Sequence, residues 1–143
     1  MSTRALINIV ERQEGRSFSK TLKPSAIHTQ LYKHYDGHPE RLGVTLASYL
    51  DGYEIHSGMS NKHQGPLANG IGCLAAQLVS YLKNEPGNVY LQPPQDRDWE
   101  DYVYYIWIKE SEEIMISIFN YDDECIFVGN CESLIEKYEY NDR

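Results

Sequence analysis

The chain has 143 residues, with 21 acidic and 13 basic side chains and a formal net charge of −8. This length suits one domain with a core of its own, and the 41% hydrophobic content excludes a disordered chain. No apolar run approaches the about 18–20 residues a membrane span needs, and Met1–Arg4 leads into structured-looking sequence without the apolar stretch of a signal peptide.

The charge is unevenly spread. Residues 1–70 carry 8 basic and 6 acidic groups, whereas residues 71–143 carry 5 basic and 15 acidic ones. An acidic second half argues against a DNA or RNA track and against an anionic membrane, because affinity for a phosphate backbone comes from Lys and Arg. It leaves room for one small phosphorylated ligand in a local basic pocket. It also permits an acidic inhibitor that offers carboxylates to a basic host protein, although surface charge of this kind commonly serves solubility alone. The three cysteines, Cys73, Cys125 and Cys131, form neither a zinc pattern nor a disulfide framework and fit a reducing cytoplasm. Cys73 reads as a small core residue.

In chain order, residues 4–11 are β-branched and apolar on both parities, the pattern of an inner strand. Residues 12–25 read as a loop or wide hairpin connection. Residues 26–34 form a second strand with Ile27, Thr29, Leu31 and Lys33 on one face and His28, Gln30, Tyr32 and His34 on the other. Asp36-Gly37 then makes a turn, in which Gly accepts a positive φ. Pro39 suits a first helical position and Glu40 a first turn. The helix runs to about Leu50 on the stripe Leu42, Leu46, Tyr49 and Leu50.

Residues 51–66 are expected to be a mobile loop. A second helix over about 66–83 carries the stripe Leu67, Ile71, Leu74, Leu78, Tyr81 and Leu82, with Gly70 and Gly72 allowing close packing. Glu85-Pro86-Gly87-Asn88 ends it. Strands follow at Val89–Gln92, Tyr102–Lys109, Ile114–Asn120 and Cys125–Val128, the middle two as an antiparallel hairpin. Asn130 caps a closing helix over 131–138 with Leu134, Ile135 and Tyr138 inward. Strands and helices do not alternate, so the expectation is a single α+β domain, an antiparallel sheet packed against two main helices.

Three groups of residues can carry chemistry. The segment Lys33-His34-Tyr35-Asp36-Gly37-His38 is dense in polar side chains. His34, Asp36 and His38, with His28, are the right types for a transition metal, but their spacing matches no fixed ligand pattern, and a hydrogen-bonded turn is the simpler reading. His34 or His38 could serve an enzyme as general acid or base; an HxT- or HxS-type pair would strengthen this, and His28-Thr29, with no second such pair, is weak support. The chain also contains no GxSxG, HExxH, Walker loop or GxGxxG. The run Tyr102, Tyr104, Tyr105, Trp107, Phe119 and Tyr121 places aromatics on alternating strand positions. Such a surface stacks nucleobases, and it equally serves core packing or a subunit interface.

Ser2, Thr3 and Arg4 opening a strand, followed by Tyr32, His34, Asp36, Gly37, Pro39 and Glu40 in a turn, resemble a group of small bacteriophage proteins with a Tyr-x-His-x-Asp-Gly-x-Pro-Glu motif. The resemblance covers mainly residues 2–50. In size and order of elements the chain is similar to the phage anti-Thoeris sponge family, which binds a cyclic ADP-ribose isomer made by a TIR-domain defence enzyme and sequesters it uncleaved. The resemblance implies an oligomeric, non-catalytic nucleotide-binding protein of the host cytoplasm, without a cofactor, with pockets at subunit boundaries. It transfers no ligand residues. Chosen by chemistry, the candidates are Arg4, Lys33, Arg41 and Arg97 for phosphate, His34 and Asp36 beside them, and Tyr105, Trp107, Phe119 and Tyr121 for the base. This scheme requires the basic groups of the first half to meet the aromatics of the second.

Overall fold

The computed structural model describes residues 3–11, 26–56, 66–95, 100–109 and 111–139. The 12–25 connection, Arg97 and the middle of the 51–66 loop lie outside them.

Ala5–Val10 forms β1, buried at every position as expected of an inner strand. Ile27–Lys33 forms β2 antiparallel to it, with Ala5 opposite Lys33 and Ile7 opposite Leu31. A π-helical turn, Pro39–Gly43, leads into α1, Val44–Leu50. Two three-residue strands, β3 (Glu54–His56) and β4 (Leu67–Asn69), pair in parallel as a small second sheet. Then come α2 (Gly70–Leu82), β5 (Val89–Gln92), β6 (Tyr102–Ile108), β7 (Ile114–Phe119), β8 (Cys125–Asn130) and α3 (Cys131–Glu139).

The main sheet has the order β5-β2-β1-β6-β7-β8. All its pairs are antiparallel except β1 with β6. The α+β class therefore stands, but the sheet is mixed. β1 is buried on both faces and needs a partner on each edge. The hairpin-like β2 supplies one, and β6, arriving after the helices, lies parallel on the other, as a long connection allows. Three helices take part, because Leu134 and Tyr138 of α3 join the core beside Leu42, Leu46 and Leu50.

One face of the sheet carries Ala5, Ile7, Ile9, Leu31, Tyr104, Ile106, Ile116 and Ile118 against the helices. The other carries the small cluster Leu6, Val103 and Phe119, flanked by Tyr32 and Tyr105. Next to that cluster the buried Asn8, Gln30 and the half-buried Gln92 form an amide ladder across three strands. Gln30 Nε2 donates to Asn8 Oδ1 (2.7 Å) and Gln92 Nε2 to Gln30 Oε1 (2.7 Å). Satisfying the amides internally removes the desolvation cost of burying them.

Two details of the helices differ from the sequence reading. α2 starts at Gly70, not 66, because Gly70 sits at φ +87°, a left-handed conformation that ends β4 and turns the chain into the helix. A Cβ on Gly70 would meet nothing, so its role is conformational and not close packing. Leu67 thus belongs to a strand, and Tyr81, placed inward by the stripe, is 47% exposed at the last helical turn. No helix of the described residues is long and apolar enough to cross a membrane.

Candidate functional site

Two loops held together at the end of β2 build a groove. In the first, Asp36 takes the left-handed conformation at φ 56°, which Asp tolerates. Gly37 does not have the positive φ the sequence reading gave it. It is glycine for want of space, since a Cβ would lie 2.8 Å from Ala5 Cβ and 2.8 Å from Thr3 O. Its N–H donates to Thr3 O (2.9 Å), and its own carbonyl accepts from the fully buried Tyr104 hydroxyl (2.6 Å). Burial, foremost, pushes the Tyr104 pKa well above its ordinary value, so the phenol remains a donor. Pro39 then opens the π-helical turn, as its fixed φ favours.

The second loop follows α2, with Gly87 (φ 79°) and Asn88 (φ 63°) both left-handed. Asn88 stitches it to the first loop. His34 N–H donates to Asn88 O (2.8 Å) and Tyr35 N–H to Asn88 Oδ1 (3.0 Å).

Between these loops lies a groove of about 470 Å³, within the range of small-molecule sites. Lys33 and Asp36 line it from β2 and its turn. Arg41, Leu42 and Thr45 come from the π-helical turn and α1. Tyr81 and Leu82 come from the end of α2, with Asn84, Glu85 and Asn88 from the loop beyond. Among the described residues neither the Lys33 ammonium nor the Arg41 guanidinium has a hydrogen bond or ion pair. Burial lowers the Lys33 pKa from its ordinary value, opposed in part by the carboxylates of Asp36 and Glu85. Two cations and two carboxylates therefore face one cavity, at the C-terminal and hence partly negative end of α2.

The groove gathers Lys33, Asp36 and Arg41 from the residues chosen on sequence. It does not gather the rest. Lys33 is in register with Ala5 and so faces the helices. Tyr105 is in register with Asn8 and faces the opposite side. Lys33 thus lies on the opposite face of the sheet from Tyr105 and Phe119. Phe119 is 2% exposed, under Tyr105 in an edge-on contact at 5.7 Å, and has no face to offer a ligand. Trp107 is half-buried, its Nε1 donating to Ser117 Oγ (2.9 Å). Tyr121 is exposed in the β7–β8 turn. The Arg4 backbone N–H donates to Asp101 Oδ2 (3.0 Å) at the foot of β1, away from the groove lining. His34 Nδ1 is in hydrogen-bond contact with Tyr32 OH (2.9 Å) and its ring meets Tyr35 edge-on at 4.6 Å. Among the described residues no three His, Cys, Asp or Glu side chains converge as metal ligands, and His28, His34, Asp36 and His38 are not brought together.

The groove's aromatic is Tyr81, which sequence reasoning assigned to the core. The available signal was its place at the last turn of α2, just before the polar run Lys83-Asn84-Glu85.

Comparison with known proteins gives no match, neither to a family model, nor to a curated protein, nor to a solved structure.

Proposed function

We propose that the chain is a non-catalytic phage counter-defence protein that binds a small nucleotide signal of the cyclic ADP-ribose type in the Lys33–Arg41–Tyr81 groove and holds it out of circulation. The observation that carries this reading is the pair of cations, Lys33 and Arg41, facing a groove of ligand size. A pyrophosphate bound there gains charge-assisted hydrogen bonds from both side chains, against the neighbouring carboxylates of Asp36 and Glu85. Sequestration asks only for ground-state affinity, so no group need be poised for a transition state. A ligand of about 35 non-hydrogen atoms at about −0.3 kcal/mol each reaches about −10 kcal/mol, or tens of nanomolar. That affinity needs most of the ligand enclosed, and on this reading a second copy of the chain closes the open side of the groove.

The test is depletion and recovery. Protein is mixed with cyclic ADP-ribose, the free nucleotide is filtered away, and the protein is heat-denatured. The reading expects depletion followed by release of the intact signal. A hydrolysed product contradicts it in favour of an enzyme, and an undepleted filtrate contradicts binding altogether.

A further inference from the structure

We infer that Tyr81 is the stacking platform for the base of the groove's ligand, and that the site therefore selects nucleotides over simple phosphates. This rests on the groove being the anion site proposed above.

Tyr81 is a ring held in place rather than a mobile side chain. It stacks on Tyr49 with centroids 4.0 Å apart and planes 15° from parallel. Tyr49 is itself anchored, its hydroxyl donating to Gln77 O (3.2 Å) and accepting from Tyr53 OH (2.9 Å). One face of Tyr81 is thus backed by a fixed aromatic, while the residue stays 47% exposed and lines the groove. Offset ring stacking on such a backed platform needs no ordering of the protein on binding.

The charges point the same way. Lys33 and Arg41 favour an anion, but Asp36, Glu85 and the C-terminal end of α2 oppose a bare one. A compensated lining suits a molecule that is anionic in one part and rich in N–H and O–H donors in another. Inorganic phosphates have only the first part. A nucleotide has both, together with an aromatic ring for Tyr81.

Calorimetry on the full chain with ADP-ribose and inorganic pyrophosphate as probes tests this. The wild type is expected to bind ADP-ribose at least about 10-fold more tightly than pyrophosphate. Tyr81→Ala is expected to lower ADP-ribose affinity by about 5- to 150-fold, the loss for one base stack, and to leave pyrophosphate binding unchanged. Tyr81→Leu, which keeps an apolar contact with Tyr49, loses the same preference, whereas Tyr81→Phe keeps it. Equal affinity of wild type and Tyr81→Leu for ADP-ribose overturns the stacking role while leaving the anion site standing. Absence of binding to either probe overturns both.

Discussion

At the scale of single residues, three glycines differ in whether anything requires them to be glycine. Gly37 has no room for a Cβ, Gly70 needs a left-handed φ, and Gly72 has neither constraint, since its Cβ would meet only the His28 ring, at 3.5 Å from Nε2 and 3.8 Å from Cε1. Their alanine variants should therefore diverge in urea unfolding. Gly37→Ala is expected to destabilise by about 1–3 kcal/mol through overpacking. Gly70→Ala should cost about 1–2 kcal/mol for the left-handed backbone. Gly72→Ala is expected to stabilise by up to about 1 kcal/mol, because alanine is the better helix former. Equal effects at all three positions would contradict these assignments. The turn at Asp36-Gly37 was legible in the sequence, but which residue bears the positive φ was not. That depends on Thr3 and Ala5, which crowd Gly37 from a strand more than thirty residues away.

At the scale of elements, the six strands of the main sheet and the closing helix were the most legible parts of the chain, whereas β3 falls in a stretch read as loop and β4 in one read as helix. β5 coincides with the expected Val89–Gln92, and the β6–β7 hairpin forms as its aromatic and β-branched alternation demands. Asn130 caps α3 through Oδ1, accepting from Ser133 N–H (2.8 Å), and also donates to Glu113 (2.9 Å). Asn130→Ala should cost about 1 kcal/mol in urea unfolding, and an unchanged midpoint would show the cap to be dispensable. The exposed edges of the sheet carry a feature the sequence did not announce. Lys83 Nζ donates to Val89 O (2.7 Å) on edge strand β5, and Lys137 Nζ to Ile126 O (3.0 Å) on edge strand β8. A lysine occupying an edge carbonyl blocks pairing with another chain. Local patterning cannot show this, because which strands form the edges is decided by the sheet order alone. The start of α2 was missed for a related reason. Leu67 fits the helical stripe, but its backbone is engaged in pairing with β3, and Gly70 resets the chain direction.

At the scale of the whole molecule, the sheet separates two surfaces that the sequence could not separate. Alternation put Ile27, Thr29, Leu31 and Lys33 on one strand face and left some of the aromatics of residues 102–121 facing outward. It could not show that β1 joins both strands in a register that turns them apart. The candidate site was thus half legible: Lys33, Asp36 and Arg41 are together, while the aromatic beside them is Tyr81 of α2. The amide ladder through Asn8, Gln30 and Gln92 enforces this arrangement, because a one-residue slip of β2 would expose its apolar face and orphan buried amides. The proposed nucleotide site is the helix-side groove and not the aromatic face. Its most direct test is the equilibrium affinity for cyclic ADP-ribose of two folded double variants, Lys33→Met/Arg41→Met and Tyr105→Leu/Trp107→Leu. The first is expected to lose about 100-fold or more, from two charge-assisted contacts, and the second to keep wild-type affinity. Retained binding in the first with loss in the second would place the ligand on the opposite face and contradict that assignment.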